Sequence, residues 1–326
     1  MAPRSPLITA IGIGLETTPG TAVARTVWII PVSVSGFVEQ HTYKNVDTLR
    51  AGLGAGPSHS DVIRLNTALA GRIVVPLTYD GLGLLLTTAM MSAVATTGGG
   101  PYTHSYERGT TIQHLTIELI RGDSARSELL IGCSIPSFKI TGQQGKEVML
   151  DLEVNGFKAN ADRAAAGSPT FVAFAALGTN IAAEDDAGDL NWNSVNHPMH
   201  RSFTLNVSSG HKEIRKVGSR SVVSVIQATR AVETLTVARL EDGDVLYNNH
   251  RKNDVAGQDL SIALDGPGNL FAQIILRNAR ITGYPPQGIS AGDGIAENVV
   301  WTGYQDGTDS ALLIQIINDS SSGVAN

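Results

Sequence analysis

Two short motifs carry side chains whose types and spacing could support catalysis or metal binding. Gly122-Asp123-Ser124 resembles the nucleophile turn of hydrolases, but it lies between two predicted strands, where Asp and Ser favour ordinary turns. His197 and His200 are three residues apart, the spacing of neighbours on one helix face, but Pro198 separates them and no carboxylate pattern surrounds them. We therefore expect a hairpin turn and two solvated histidines at these positions.

Two charged stretches could bind ions or nucleic acid. The acidic stretch Glu184–Asp189 lacks the alternating ligands and the closing Glu of a calcium loop, which favours a solvated loop. The densest basic stretch, His211–Arg220, has no interleaved aromatic side chains for stacking on bases. We expect it to form an exposed loop that meets an acidic neighbouring surface. Phosphate-binding and dinucleotide-binding motifs are absent from the sequence, so we predict no catalytic residue, no cofactor and no metal.

The composition indicates a folded, β-rich protein. The chain has 326 residues, of which 42% are hydrophobic and 17% are charged, a balance too apolar for a disordered chain. Its 24 basic and 30 acidic residues give a net charge of −6, which argues against a protein that grips nucleic acid. The single cysteine, Cys133, excludes an intramolecular disulfide. Apolar runs fall short of the roughly 18 residues of a membrane-spanning helix, so we expect no membrane insertion.

Period-two alternation predicts most of the elements. In Lys146–Phe157 the apolar residues at even positions face one way, while Glu147, Asp151 and Glu153 share the opposite face. Leu82–Met91 has the spacing of a short helix with a wide apolar face. The polar stretch Gln40–Asn66 contains three glycines and is predicted to be a loop. Further strands are predicted at Thr26–Ser35, Arg72–Tyr79, His114–Ile120, Leu129–Thr141, Ser202–Val207, Glu233–Leu240 and Ala311–Ile317.

Similar segments recur in the same order along the two halves of the chain. Leu115–Leu119 matches Leu260–Leu264, and Gly156-Phe157 matches Gly303-Tyr304. The recurrence predicts an internal duplication, with a second short helix near Val245. The fold class is then mainly β, with two tandem β-sandwich domains, each with a short flanking helix, at residues 1–178 and 179–326. A single large sandwich with similar strands remains the alternative.

The first forty residues resemble a known family. Gly14-Leu15-Glu16-Thr17-Thr18-Pro19-Gly20-Thr21-Ala22-Val23-Ala24, followed by Trp28-Ile29-Ile30-Pro31-Val32, is similar to the opening of phage tail tube proteins, here the major tail tube protein of a long-tailed, siphovirus-like phage. The resemblance implies a structural protein whose sheets join around a ring to form the wall of a hollow, DNA-conducting tube. Members with two fused units form trimeric rings with pseudo-sixfold symmetry, and the predicted duplication places this chain among them.

The resemblance also implies partners and contact surfaces. The partners are further copies of the chain, within and between rings, together with the tape measure protein and the tail terminator, while DNA passes without specific binding. The location is the virion tail, with assembly in the host cytoplasm. We expect Glu147, Asp151 and Glu153 to face the bore, where an acidic lining repels DNA. Candidate inter-subunit contacts in the N-terminal arm and the long loop are Glu16, Thr17, Thr18, Leu49, Leu53 and Val62.

Two other classes of function remain open from the sequence. One is a different virion structural protein, such as a tail terminator, a baseplate ring or a capsid decoration protein. The other is an all-β hydrolytic or carbohydrate-active enzyme, which would need a cleft with two carboxylates at catalytic separation.

Overall fold

Antiparallel β-strands dominate the computed structural model, which describes residues 8–37, 40–46, 61–121, 127–160, 182–183, 190–192, 195–197, 200–215, 222–240, 257–283 and 296–321. The expectation of a mainly β protein is confirmed. The elements of residues 8–160 are β1 (Ile8–Leu15), β2 (Val27–Ile29), β3 (Ser33–Gly36), β4 (Gln40–Val46), β5 (Asp61–Pro76), α1 (Gly83–Met90), β6 (Ala95–Thr97), β7 (Tyr102–Glu107), β8 (Leu115–Arg121), β9 (Ser127–Gln143), β10 (Lys146–Glu147), β11 (Met149–Gly156) and β12 (Lys158–Asn160).

The later described residues contain strands only. They are β13 (Ala182–Ala183), β14 (Leu190–Trp192), β15 (Val195–His197), β16 (His200–Ser208), β17 (His211–Ile214), β18 (Ser224–Gln227), β19 (Val232–Leu240), β20 (Gln258–Asp265), β21 (Phe271–Gly283), β22 (Ala296–Thr302) and β23 (Leu312–Asn318). Residues 8–160 are called the N-terminal half below, and residues 190–321 the C-terminal half.

One eight-stranded sheet, the main sheet, runs through both halves in the order β3-β5-β11-β9-β16-β19-β22-β21. The alternation predicted for β11 is confirmed, since Leu150, Leu152 and Val154 are buried on one side. The halves meet where β9 pairs with β16, from Ser202 opposite Gln143 to Ser208 opposite Ser137. We call this pairing the seam.

A second layer covers the apolar face of the main sheet in each half. In the N-terminal half its order is β2-β1-β8-β9-β12. Over the C-terminal half it is β15-β14-β20-β21-β23-β7-β6, and the last two of these strands, β7 and β6, come from the N-terminal half of the chain. The long strands β9 and β21 belong to both layers, because each bends at a bulge. The bulge residues Gly132 (φ 70°) and Asn278 (φ 47°) both adopt the left-handed conformation that such a bend requires.

The two halves place equivalent strands in the same order. In the main sheet, the strands of the N-terminal half follow one another in space as first, second, fourth and third along the chain, and so do those of the C-terminal half. The backbone N–H of Phe157 donates to the carbonyl of Ile131, and that of Tyr304 donates to the carbonyl of Arg277. Each acceptor immediately precedes its bulge residue, so Phe157 and Tyr304 occupy matching places.

The helix and several strands lie where the sequence predicted them. The helix α1 is confirmed at Gly83–Met90, and it ends at Met91, whose φ of 55° starts the left-handed turn that closes it. Pro136 was expected at an edge or a bulge, and it lies in β9 where the register with β11 shifts. The helix predicted near Val245 and the strand predicted at Thr170–Leu177 lie outside the described residues.

Two expectations about local structure were wrong. The strand predicted at Thr26–Ser35 is interrupted between β2 and β3, where Pro31 has no N–H to donate to a ladder. The predicted loop Gln40–Asn66 instead contains a two-stranded ribbon, in which β4 pairs with the first part of β5 from Val46 opposite Asp61 to Gln40 opposite Ala68. Gln40, Thr42 and Tyr43 are all exposed, so this ribbon has no apolar alternation for sequence analysis to detect.

Candidate functional site

The main sheet presents one polar face, and two of the three predicted acidic residues lie on it. Asp151 and Glu153 alternate with buried residues of β11, as predicted. Glu147 is exposed but lies on the separate strand β10, which pairs with β13 instead of β5. The structure therefore brings Asp151 and Glu153 together and places Glu147 on a different ladder.

Arg72 and Ser137 donate hydrogen bonds to the two carboxylates of this face. Arg72, on the neighbouring strand β5, donates from Nε to Oδ1 of Asp151 at 2.5 Å and from Nη2 to Oδ2. This forked contact raises the pKa of the Arg72 guanidinium. The Ser137 hydroxyl donates to Glu153. Neither contact could be predicted from the sequence, because only the sheet register brings the partners together, and 79 residues separate Arg72 from Asp151.

A shallow groove of about 470 Å³ follows the seam on the same face. It contains two carboxylates, but both oxygens of Asp151 are bound by Arg72, so they are engaged by the protein itself. The remaining lining consists of four hydroxyl or amide side chains, three apolar side chains and one further cation, Lys139, so the groove is of mixed polarity and mixed charge. The groove is lined by Arg72, Ser137, Phe138, Lys139, Asp151, Glu153, Asn206, Val207, Ser208, Val232 and Thr234.

The N-terminal arm, residues 16–26, is built around the carboxylate of Glu16. This residue is 7% exposed and accepts hydrogen bonds from the backbone N–H of Gly20 at 2.6 Å and of Gly132 at 2.8 Å. The Thr116 hydroxyl donates to the same carboxylate at 2.9 Å and accepts from the N–H of Val23 at 3.1 Å. Glu16 thus joins the arm, β8 and the bulge of β9, which explains the spacing of Glu16 and Gly20 in the opening motif.

The other predicted contact residues are placed as follows. Thr17 and Thr18 are exposed in the turn that Glu16 shapes, so both are accessible to a neighbouring molecule. The backbone of Val62 pairs with that of Asn45 in the ribbon of β4 and β5. Leu49 and Leu53 lie outside the described residues. An inter-subunit role for these residues stays a prediction.

A buried cluster of charged and titratable groups joins the two halves. Nε of Arg108, after β7, lies 3.7 Å from Oε1 of Glu233 on β19, and both side chains are at least nine-tenths buried. Burial lowers the pKa of Arg108 and raises that of Glu233. Burial, together with the charges of Arg108 and His114, lowers the pKa of His211 to about 4. Sequence reasoning missed this cluster, because its members come from distant segments without a shared motif.

The ribbon formed by β17 and β18 packs against the N-terminal half. Val222 and Val225 form a small apolar cluster with Phe157, and Ile112 packs against it. At the edge of the ribbon, Nη1 of Arg215 donates to the carbonyl oxygen of Thr67 at 2.6 Å. The basic stretch predicted to be an exposed loop therefore belongs in part to a docked ribbon. Its last residues, 216–221, lie outside the described part of the chain.

Neither a metal site nor a membrane-spanning helix is found among the described residues. Within them, no three or more His, Cys, Asp or Glu side chains come close enough to hold a metal ion. The helix found there is too short to cross a membrane. The lone cysteine, Cys133, is fully buried beneath the bulge of β9.

The fold and its contacts define a mainly antiparallel β protein whose two halves share one sheet. A family model described as phage tail tube protein matches residues 7–303, nearly the whole chain. The chain therefore belongs to the phage tail tube protein family, as the opening motif predicted. It is a structural component of a phage tail, and the family is not an enzyme family. A search of curated protein sequences found no match.

Proposed function

We propose that this chain is the repeating subunit of the tail tube and that three copies close into a ring with pseudo-sixfold symmetry. The observation that carries the proposal is the seam, where the last strand of the N-terminal set, β9, pairs with the first strand of the C-terminal set, β16. The proposal treats the two sets as a duplicated unit, in line with the division predicted at residue 178.

The ends of the main sheet supply the surfaces for ring closure. Within the described residues, β3 and the last residues of β21 each have a main-sheet partner on one side only. Exposed edge strands template pairing with another chain. If β21 of one subunit meets β3 of the next as β9 meets β16, three chains provide six equivalent sets of strands and leave no open edge. Stacked rings then form a hollow tube.

The polar face of the main sheet is the proposed lining of the bore. Its other face is covered by the second layer, so the polar face is the one available to a channel. DNA binds surfaces through phosphate contacts to Lys and Arg, and this attraction would slow its passage. On this face the Arg72 guanidinium is bound by the carboxylate of Asp151, while Glu153 adds negative charge. An Arg72 guanidinium held by Asp151, beside hydroxyl groups, suits a surface along which DNA moves without specific binding.

The other partners follow from the same role. A tube of stacked rings requires a tape measure protein inside the growing bore and a tail terminator at its end, and we expect assembly in the host cytoplasm before incorporation into the virion. A tail terminator or a baseplate ring would also form rings, but those rings would not stack into tubes of indefinite length. The length of the polymer formed by the purified chain therefore separates these alternatives.

A proline at the free edge tests ring closure. Phe37 donates its N–H to the carbonyl of Ala70 at 2.8 Å, and alternation along β3 directs the N–H of Val34 away from β5. Val34→Pro removes that outward donor and keeps the inward ladder, whereas the control Val34→Ala keeps both. We expect the purified wild type and Val34→Ala to form rings or tubes in negative-stain electron microscopy, and Val34→Pro to stay monomeric with an unchanged circular dichroism spectrum.

The same images would also reveal either of two results that contradict the proposal. Normal rings from Val34→Pro would show that β3 does not close the ring. Monodisperse wild-type monomers at every concentration would contradict the tube function itself.

A further inference from the structure

Within one chain, the ribbon of β17 and β18 covers an aromatic side chain of the other half. Phe157 follows β11 directly and is only 6% exposed. Val225 of the ribbon and Val222, just before β18, pack against it, together with His114 and Gly132 of its own half. The ribbon follows β16, the strand that pairs with the N-terminal half at the seam. Pairing at the seam and docking of the ribbon are thus two parts of one contact.

The matching place in the C-terminal half has no ribbon over it among the described residues. Tyr304 follows β22 as Phe157 follows β11, with Gly303 and Gly156 before them. Its N–H donates to Arg277 at 3.1 Å, while that of Phe157 donates to Ile131 at 3.0 Å. Tyr304 is nevertheless 42% exposed, and the guanidinium carbon of Arg280 lies 5.8 Å from its ring centre.

The N-terminal half contains a ribbon at the equivalent point of the chain. The ribbon consists of β4 and the first part of β5, and it connects β3 to the part of β5 that lies in the main sheet. The ribbon of β17 and β18 connects β16 to β19 in the same way. Gln40, Thr42 and Tyr43 on the ribbon of β4 and β5 are exposed, Tyr43 at 58%. Aromatic side chains such as Tyr are enriched in protein–protein interfaces.

We infer that the ribbon of β4 and β5 in one subunit docks over Tyr304 of the next subunit in the same ring. The inference rests on the ring proposed above, and it names the receiving surface for the ribbon. If β3 pairs with β21 of the neighbour as β16 pairs with β9, the ribbon after β3 lies over Tyr304 of that neighbour. It then has the same position as the ribbon of β17 and β18, which lies over Phe157. The occupant is a second copy of this chain, in the same ring and not in the ring above.

Site-specific crosslinking tests the contact. The double variant Tyr43→Cys/Tyr304→Cys is assembled and treated with a short bismaleimide, and the products are separated on a denaturing gel. Cys133 is fully buried, and burial raises the pKa of its thiol, so it is a poor nucleophile. We expect covalent dimers and trimers and nothing larger. Each single-cysteine variant serves as a control and should remain monomeric on the gel.

Three results would overturn the inference, and they differ in what else they affect. A ladder that continues beyond trimers would place the ribbon against the adjacent ring. Rings that are visible by electron microscopy but give no crosslink would remove the contact and leave the ring proposal intact. An absence of wild-type rings would remove both.

A second set of variants covers the case in which the cysteine variant fails to assemble. Tyr304→Glu places a charge on the receiving surface, while Tyr304→Phe keeps the aromatic side chain and its contact with the ribbon. Thr97→Glu adds the same charge on the exposed strand β6. We expect Tyr304→Glu to raise the protein concentration required for assembly at least tenfold, with the melting temperature of the monomer unchanged. Tyr304→Phe and Thr97→Glu should assemble as the wild type does, and equal assembly by Tyr304→Glu would contradict the docking.

Discussion

Replacement of Glu16 by alanine tests whether this carboxylate holds the N-terminal arm in place. The side chain is 7% exposed and accepts three hydrogen bonds, from Gly20 N, Gly132 N and Thr116 Oγ1, at 2.6–2.9 Å. Glu16→Ala removes all three and leaves the N–H groups of Gly20 and Gly132 without this acceptor. Both sides of the arm, the turn and the bulge of β9, are affected together.

The expected loss follows from the number and type of these bonds. A hydrogen bond to a charged group stabilises by about 1.5–3 kcal/mol, and bonds that share one side chain do not add fully. We therefore expect Glu16→Ala to lower the free energy of unfolding by about 3–4 kcal/mol. Glu16→Gln keeps one acceptor oxygen but turns an amide N–H₂ toward a donor, so its loss should be smaller.

Urea denaturation of the monomer, followed by tryptophan fluorescence, measures this loss. Thr17→Ala is the matched control, because Thr17 is adjacent and exposed, and its replacement should change the free energy of unfolding by less than about 0.5 kcal/mol. A loss below about 1 kcal/mol for Glu16→Ala would refute the assignment of Glu16 as the organising group of the arm.

Three further predictions concern the bulge, the buried cluster and the bore. Gly132 and Gly145 both have φ of 70°, but an added Cβ would lie 2.4 Å from Phe157 Cγ at Gly132 and would meet nothing within 4 Å at Gly145. Gly132→Ala should thus destabilise the chain by at least about 2 kcal/mol more than Gly145→Ala in the same urea assay, and equal losses would contradict this packing. The pKa of His211 is lowered from 6.5 to about 4, so between these pH values the unfolded chain binds a proton that the folded chain does not. The stability of the chain should therefore fall as the pH decreases through this range. Melting temperatures measure this fall, which should be less steep in His211→Gln. Joint replacement of Asp151 and Glu153, the two acidic residues on the polar face, by Lys should slow DNA ejection from virions at low salt, with recovery at high salt, and unchanged low-salt ejection would contradict the bore assignment.

Sequence analysis succeeded where apolar and polar residues alternate along a strand. The strands β11 and β16 were predicted because their alternate residues enter the core. In β8 the residue types alternate in the same way, although Thr116 and Glu118 are buried too. The ribbon of β4 and β5 was missed for the opposite reason, since the exposed residues Gln40, Thr42 and Tyr43 carry no alternation. Local composition predicts a strand when its residue types alternate or form an apolar run, and β4 has neither pattern.

Long-range contacts of the candidate sites could not be predicted from the sequence. Arg72 meets Asp151 because β5 and β11 are neighbours in a particular register. Arg108 meets Glu233 because the two halves share a sheet and a second layer. The opening motif did locate Glu16, but its role inside the chain depends on Gly132, which only the bend of β9 brings to the carboxylate.

Native mass spectrometry of the smallest closed assembly tests the central claim most directly. Six equivalent sets of strands, with two in each chain, predict a ring of three chains and a mass three times that of the 34.3 kDa subunit. Two-dimensional class averages of the same sample should show six similar lobes around a central hole. A closed ring of six chains, or an assembly without a hole, would contradict the claim that the seam within one chain repeats between chains.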